Sequence, residues 1–560
     1  MRATPAVVSV DVAELAATLA RIELVATAED HERLTAAVNT LVEITRFVRK
    51  DRATIARLRR MLGQAGSEKT ADVLAKAGEI VAPSGSSDAA PETSFAAPAG
   101  EAEAANDAGA DDPLAAKRRR KGHGRIPAAN YAGDVKQVAH HLKVGQKCPG
   151  CLHGCLHALD PACSARIFGQ PPLVALRWEC ERLRCGACGD VFTAPLPPAA
   201  QGPKYSDSAK AMMAVLRYGM GMPLHRLEKT QQYFQIPVPA STQWELVRDQ
   251  MPAVRPAYDE LVRLAANADV LHNDDTYVRI LDLMGKRRGK LVAGGGLDEP
   301  ERTGLFTTGI VATTPMGLIA LFSSGRQHAG ENLSDLLELR DPSLPPPIQM
   351  CDGLDRNLPE YAVVLANCLA HGRRHVVDEV NNHPDFCGHL LEEIGTVFMN
   401  EAKCRAQKLS GEERLRLHQR ESGPVMEKLH RWMHELLDDK RVEPNSGLGG
   451  ALNYLLTRWE PLTLFLRVTG APLDNNLSER SLKRMIRQRR NSLFFRSCRG
   501  AMVGDVYLAL IYTTELHGGN PLRYLTALMA HEKDVAARPA DWLPWNYETA
   551  LARAALANAA

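Results

Sequence analysis

The stretch Val270-Leu271-His272-Asn273-Asp274-Asp275-Thr276 joins a short apolar run to two adjacent acids. A run of this length predicts a buried strand over 270–272, resumed at 278–281, that delivers a carboxylate to the edge of a sheet. Two further strings have the same quality. Ile348-Gln349-Met350-Cys351-Asp352-Gly353 is an apolar strand closed by an acid and a glycine. Leu473-Asp474-Asn475-Asn476-Leu477-Ser478-Glu479-Arg480 sets Glu479 at the head of a strongly basic helix. Between the first two strings, 305–313 and 318–322 read as strands, the second continuously apolar and so central. Residues 332–339 read as a helix, and 363–368 as one more strand. Two carboxylates at strand ends and one on a helix suit a pair of hard divalent cations. Such a pair, about 3.5–4 Å apart, activates a nucleophile and stabilises a leaving oxygen in phosphodiester chemistry. A chain with 66 acidic residues offers many triples, so the local strings carry more weight than the carboxylates alone.

At 560 residues the chain exceeds the size of one hydrophobic core, about 250–300 residues, and predicts several domains. Its 45% apolar content is ordinary for a globular protein. No apolar run approaches the roughly 18 residues of a membrane span, and the N-terminus carries no signal-like apolar core. Twelve cysteines in such a chain read as metal ligands and free thiols rather than disulfides. The net charge of +2 hides a polarity: residues 64–116 carry −8, which leaves +10 for the rest. The cations concentrate at Lys117-Arg118-Arg119-Arg120-Lys121 and again over 480–499, the footprint of a polyanion binder.

From the N-terminus, Leu34, Leu41, Val48, Ile55 and Leu62 recur every seven residues, which predicts a coiled-coil helix within 1–63. Residues 64–116, rich in Ala, Gly, Ser, Pro and acids, read as a disordered acidic linker. The basic segment 117–147 follows, with Arg125 in Gly124-Arg125-Ile126-Pro127 placed to reach a phosphate or a narrow minor groove. Cys148-Pro149-Gly150-Cys151 and Cys185-Gly186-Ala187-Cys188 are two knuckles separated by 33 residues. Four thiolates at this spacing predict one tetrahedral structural Zn²⁺ in a ribbon over 148–195, with a ribbon strand over 173–183. A closed four-cysteine site folds and positions its module without performing chemistry.

Residues 203–265 read as helix, break, helix, turn and helix. They form a helix-turn-helix-like unit or a plain helical connector, with Ser241-Thr242 as an N-cap. The third acidic string lies 127 positions after Asp352. The charged, Leu-bearing residues between, about 380–468, read as a helical insertion. In the basic helix, Asp474 or Asn475 serves as cap, Leu482, Met485 and Ile486 form the apolar side, and Arg480, Arg484 and Arg487 form a cationic stripe joined by Lys483. His272 and His371, beside the acidic strings, read as packing or supporting residues, and Cys351 as a packed thiol.

These strings resemble the transposases of the insertion sequence 66 family, in order along nearly the whole chain. The matching pieces are His272-Asn273-Asp274-Asp275-Thr276, Asp352-Gly353, the Asp-Asn-Asn-x-x-Glu-Arg string from Asp474 to Arg480, Asn520-Pro521-Leu522-Arg523-Tyr524-Leu525, and Leu543-Pro544-Trp545-Asn546. Asp275 stands where the family usually carries Glu, which leaves Asp275 as the alternative to Asp274 for the first acid. The resemblance implies a multidomain α/β protein: a coiled coil, a zinc ribbon, a helical DNA-binding region, a ribonuclease-H-like catalytic core over 268–500 with its insertion, and a small helical C-terminal domain over 501–560. It implies a DNA transposase of the acidic-triad type, in which Asp274, Asp352 and Glu479 hold two Mg²⁺ or Mn²⁺ ions. Its partners would be double-stranded DNA at element ends and target, further copies of the chain, and small accessory proteins of the same element, with no membrane. Its place would be the bacterial cytoplasm, at the nucleoid. A catalytically silent DNA-binding repressor, and a nuclease of the same fold that never joins strands, are the competing readings.

The zinc reading has a direct test. Cys185→Ser removes one of four thiolates, and metal content should fall from one zinc per chain to none. Specific DNA binding should fall with it, in a mobility-shift titration, while the downstream core stays folded.

Overall fold

The computed structural model describes residues 142–147, 149, 151, 153–158, 170–184 and 191–559. The coiled coil of 1–63, the acidic linker of 64–116, the basic residues Lys117, Arg118, Arg119, Arg120, Lys121 and Arg125, and three of the four knuckle cysteines, Cys148, Cys185 and Cys188, lie outside these residues. The chain divides into two compact units. One holds residues 373–399 and 425–453; the other holds the remaining described residues.

Two strands, β1 (Arg182–Arg184) and β2 (Val191–Thr193), pair as an antiparallel ribbon. The expected strand over 173–183 is therefore confined to its last residues. Val174 and Leu176 are exposed and have no ladder partner to extend it. Five strands build the main sheet: β3 (Val270–Tyr277), β4 (Phe306–Thr314), β5 (Gly317–Gly325), β6 (Ile348–Cys351) and β7 (Val364–Asn367), in the order β5-β4-β3-β6-β7. The first three form an antiparallel meander, and β3, β6 and β7 run parallel. This is a mixed α/β architecture. The central position of β3 explains why Val270 through Asn273 are all buried, without the alternation of a half-exposed strand.

The strand pattern differs from expectation at one informative place. β3 does not stop before the acids; it runs through Asp274 and Asp275 to Tyr277, paired with β4 throughout. Residues 278–281 add no strand to the sheet: Ile280 makes an isolated bridge to Phe495, and a 3₁₀ turn follows at Leu281–Leu283. β6, by contrast, pairs with β3 only as far as His272. Asp352 thus leaves the sheet where β3 still continues, level with Asp274.

Helices cover the sheet. Helix α1 (Met251–Ala266) precedes β3, α2 (Gly285–Ala293) stands in the connection from β3 to β4, and α3 (Ala329–Leu337) follows β5. Helix α4 (Asn476–Ser492) lies against β3 and β4. Its buried residues Ser478, Ser481, Leu482, Met485 and Gln488 fall at helical spacing and form one stripe toward the sheet, as the apolar reading of Leu482 and Met485 requires. The approach is close. Ser478 Oγ donates to Gly309 O at 3.2 Å, and a Cβ on Gly309 would meet Ser481 Oγ at 2.9 Å and Leu482 Cδ2 at 3.0 Å.

Helix α5 (Cys498–Leu516) packs on the edge strand β5. Thr513 Oγ1 accepts from Ala320 N at 3.1 Å, and Asp505 takes hydrogen bonds from both Ser324 N and Ser324 Oγ. Burial pushes the Asp505 carboxyl up to about 7 against those two bonds. The C-terminal segment therefore shares the core of the sheet. Tyr507 stacks on Tyr218 at 5.6 Å and donates to Val247 O, which binds the helices Asp207–Ala214, Leu224–Tyr233 and Ala240–Arg248 to the same core. The last of these starts at Ala240 after Pro239, so Ser241-Thr242 lie inside the helix rather than capping it.

Helices run through the expected insertion: Pro384–Ala406, Gly411–Leu417, Gly423–Asp438 and Gly447–Thr457. The smaller unit, built from parts of three of them and the end of Leu369–Glu379, has its own apolar centre. Leu390, Leu391, Ile394, Met433, Leu436 and Leu452 are fully buried or nearly so, and His389 meets Trp432 edge-on at 4.6 Å. Among the described residues no helix is long and apolar enough to cross a membrane.

Gly309→Ala tests the close approach of α4. The added methyl overlaps a helix backed by the sheet, so stability should fall by about 1–3 kcal/mol, read as a lower midpoint in chemical denaturation with an unchanged slope.

Candidate active site

Asp274 and Asp275 alternate across β3 and face different surroundings. Asp274 shares its side of the sheet with Asp352 and Glu479. Its carboxyl is pushed up to about 7, first by burial and then by the negative charge of Asp352, with Asp275 and Glu479 adding to it. Its Oδ1 accepts from Asp275 N at 2.8 Å. Asp275 points to the other side, where Arg356 reaches it at 2.9 Å and Ala329 N, at the start of α3, donates to it at 3.4 Å. Burial raises its pKa as well, with Arg356 pulling the other way.

Asp352 is held by its own loop. Its Oδ1 accepts from Leu354 N at 3.1 Å and from Asn357 Nδ2 at 2.6 Å. Asn357 is held in turn, because its backbone oxygen accepts from Asn273 Nδ2 at 2.9 Å and from Gln349 Nε2 at 2.6 Å. The buried amides of β3 and β6 thereby fix the turn that carries the acid. Gly353 permits that turn with φ at +82°, where Arg458 crosses its Cα and donates to its carbonyl oxygen. Tyr454 donates to Asp352 O at 2.7 Å.

Glu479 sits in the first turn of α4, where the helix dipole favours a negative charge. The N-cap residue is Asn475, but its side chain does not cap. Instead Nδ2 donates to Asn273 O at 3.1 Å, and Oδ1 meets His272 Nδ1 at 3.1 Å. Asp474 Oδ1 takes the Asn476 N–H. The helix start is thus tied to β3 one residue before Asp274. His272, pushed down to about 4 chiefly by burial, is a neutral packing residue. Cys351 and Cys368 are buried thiols, both pushed up to about 12 by burial, which disfavours the thiolate.

Asp352 and Glu479, from strings far apart in sequence, thus lie near enough to Asp274 for their charges to act on it. Burial and then like charge raise the proton affinity of Asp274, and the buried Oε1 of Glu479 lacks a hydrogen-bond partner. Both observations fit oxygen donors arranged for divalent cations. Of the cationic stripe, Arg480, Lys483 and Arg487 are exposed. Arg484 is engaged internally, at 2.5 Å from Glu515 and 4.4 Å over the ring of Tyr512. The sequence reading missed α2, whose Lys286, Arg287, Arg288 and Lys290 form a basic helix with no buried residue. Its signal was a dense charge run that reads equally well as a solvated face.

Of the knuckle cysteines, Cys151 is exposed and lies in a turn closed by an antiparallel bridge between Lys147 and Cys155. The other knuckle falls by position between β1 and β2. Elsewhere, Glu401, Cys404 and His418 bring ligand-type atoms within 4.8 Å of one another. The carboxylate is already satisfied: Arg405 lies at 3.0 Å, Arg414 at 2.8 Å and His418 at 3.0 Å. Against the upward push of burial, these partners hold Glu401 down at about 2. Two guanidinium groups on the carboxylate make this an internal ion-pair cluster rather than a cation site.

Asn357→Ala should cost about 1–2 kcal/mol, because the half-buried Asp352 carboxylate loses a donor. Urea unfolding of the variant beside the parent measures this, and a loss below the scatter of surface substitutions would remove Asn357 from the support of Asp352.

Residues 203–292 and 340–503 match the family model described as Transposase IS66 family, and all three acidic strings fall inside the matched segments. Two proteins of Sinorhizobium fredii are similar. Uncharacterized protein y4jD is 25% identical over 413 residues, covering 71% of this chain and 78% of the relative. Uncharacterized protein y4hP is 26% identical over 393 residues, covering 66% and 68%. Carrying the family's segments in their order around one sheet, this chain belongs to the transposase IS66 family.

Proposed function

We propose that the chain is a DNA transposase that cuts the ends of its element and joins them to target DNA, with Asp274, Asp352 and Glu479 as its metal-binding acids. The observation that carries this is the raised proton affinity of Asp274 beside Asp352 and Glu479. The strand order, with an antiparallel meander followed by two parallel strands, supports a ribonuclease-H-like core. Asp274 is preferred to Asp275 because Asp275 is engaged by Arg356 across the sheet.

The three carboxylates would hold two Mg²⁺ or Mn²⁺ ions. When bound, such a pair activates the attacking oxygen and stabilises the leaving one. The protein's own part is orientation. The Asn357 and Leu354 donors fix one oxygen of Asp352, and Asp275 N fixes one oxygen of Asp274. In the first reaction, water attacks the phosphodiester at the element end and releases a 3′ hydroxyl. In the second, that hydroxyl attacks a target phosphodiester, one P–O bond forms as another breaks, and a target 3′ hydroxyl leaves. The bond count is unchanged in the second step, so no nucleotide is consumed. Arg480, Lys483 and Arg487, with the basic helix α2, would contact the DNA backbone, and Arg484 would do so only on release from Glu515. The segments at 117–125 and the zinc module would hold the element end, and the heptads would pair two chains.

Asp352→Asn preserves size and removes one charge. Cleavage and strand joining of an end-bearing duplex in Mg²⁺ or Mn²⁺ should drop to background, with DNA affinity within about twofold of the parent. Full activity in this variant would discard the triad, and cleavage by the parent without joining of a pre-cut end would favour a nuclease.

A further inference from the structure

His371 stands at the start of the helix Leu369–Glu379, directly after β7, and its ring turns toward Glu479. Its Nε2 lies 3.6 Å from Glu479 Oε1, beyond hydrogen-bonding distance. Glu479 Oε1 is buried and has no hydrogen-bond partner, and His371 Nδ1, on the other side of the ring, is in the same condition. An unmet buried polar atom costs about 1–3 kcal/mol, and Glu479 Oε1, faced by Nε2 beyond hydrogen-bonding distance, calls for a third body between the two. Two donors of one octahedral ion lie roughly 3–4 Å apart, and 3.6 Å falls in that range. The neighbouring His272 is not equivalent, because its Nδ1 is committed to Asn475.

We propose that His371 is a nitrogen ligand of the acidic site, sharing an ion with Glu479, and that it biases the site toward Mn²⁺ over Mg²⁺. The inference rests on the acidic-site reading above and deepens it. A site of carboxylates alone suits the hard Mg²⁺, which demands oxygen donors and gives them up reluctantly. One imidazole nitrogen raises affinity for first-row transition ions, for which nitrogen is a better donor.

The test uses the full-length chain with its zinc retained and Mn²⁺ alone as probe. Pulsed electron paramagnetic resonance of the bound ion should show a ¹⁴N coupling of the imidazole type. His371→Ala should keep an ion in the site but lose the coupling. Its Mn²⁺ affinity should fall about tenfold, with Mg²⁺ affinity, read by competition, changed much less. His371→Gln keeps the bulk of the ring position and should also lose the coupling, which separates ligation from folding. Asp352→Asn should release the ion altogether. An ion that Asp352→Asn releases but that shows no ¹⁴N coupling in the parent, or shows the same coupling in His371→Ala, overturns the role of His371 and leaves the acids standing. An ion held equally by the parent and Asp352→Asn, or no ion in either, overturns the acidic site and the ligand together.

Discussion

Helix α4 can lie against the sheet only because position 309 has no side chain. Gly309 is paired with Asp274 in the β3–β4 ladder, and its open face receives Ser481 and Leu482. Residue 479 is thereby carried to the same level of the sheet as residue 274. The contact is a packing constraint, with atoms already at van der Waals distance, and interiors packed this tightly yield little when volume is added. Everything assembled at the acidic end inherits its geometry from this approach and from the Asn475 side chain, which ties the helix start to β3 through Asn273 and His272.

Against that rigidity stands a repulsion. Burial of Asp274 near the charges of Asp352, Asp275 and Glu479 raises the free energy of the folded chain unless protons or cations neutralise them. The structure offsets the repulsion unevenly. Asp275 has a guanidinium, Glu401 has two, and Asp352 has amide and backbone donors, while Asp274 has the single backbone donor of Asp275 against three acidic neighbours. The arrangement leaves charge uncompensated at Asp274 and neutralises it at Asp275 and Glu401. The Glu401 cluster belongs to the second kind. Arg414 also donates to Ala471 O, and Arg405 lies 3.9 Å from Asp474, so residues of the insertion brace the segment that leads into α4.

Much of this was legible in the sequence because apolar runs of strand length are hard to mistake. β6 begins and ends where its pattern says, and the buried stripe of α4 follows helical spacing from Ser478 to Gln488. What was not legible has physical reasons. The string His272-Asn273-Asp274-Asp275-Thr276 looks too polar for a strand, yet β4 supplies hydrogen bonds along its whole length. Asn475 looks like a cap and is used as a tertiary tie, a choice decided by what lies across the space. Helix α5 is buried nearly all round, so it lacks the polar face that would distinguish a surface helix from the core element it is. The partner of His371 lies 108 positions away, and no local pattern announces such a pair.

The internal pairing of Arg484 has a consequence for counterions. In the proposed function, DNA laid along the outer face of α4 would meet Arg480, Lys483 and Arg487, while Arg484 is already paired with Glu515 and seated on Tyr512. Each phosphate contacted releases condensed counterions, and the logarithm of affinity falls by about 0.9 per contact for each decade of salt. Glu515 therefore acts as a built-in counterion. With Arg484 so paired, DNA binding by the proposed transposase would lose one contact's worth of non-specific attraction and depend less steeply on ionic strength.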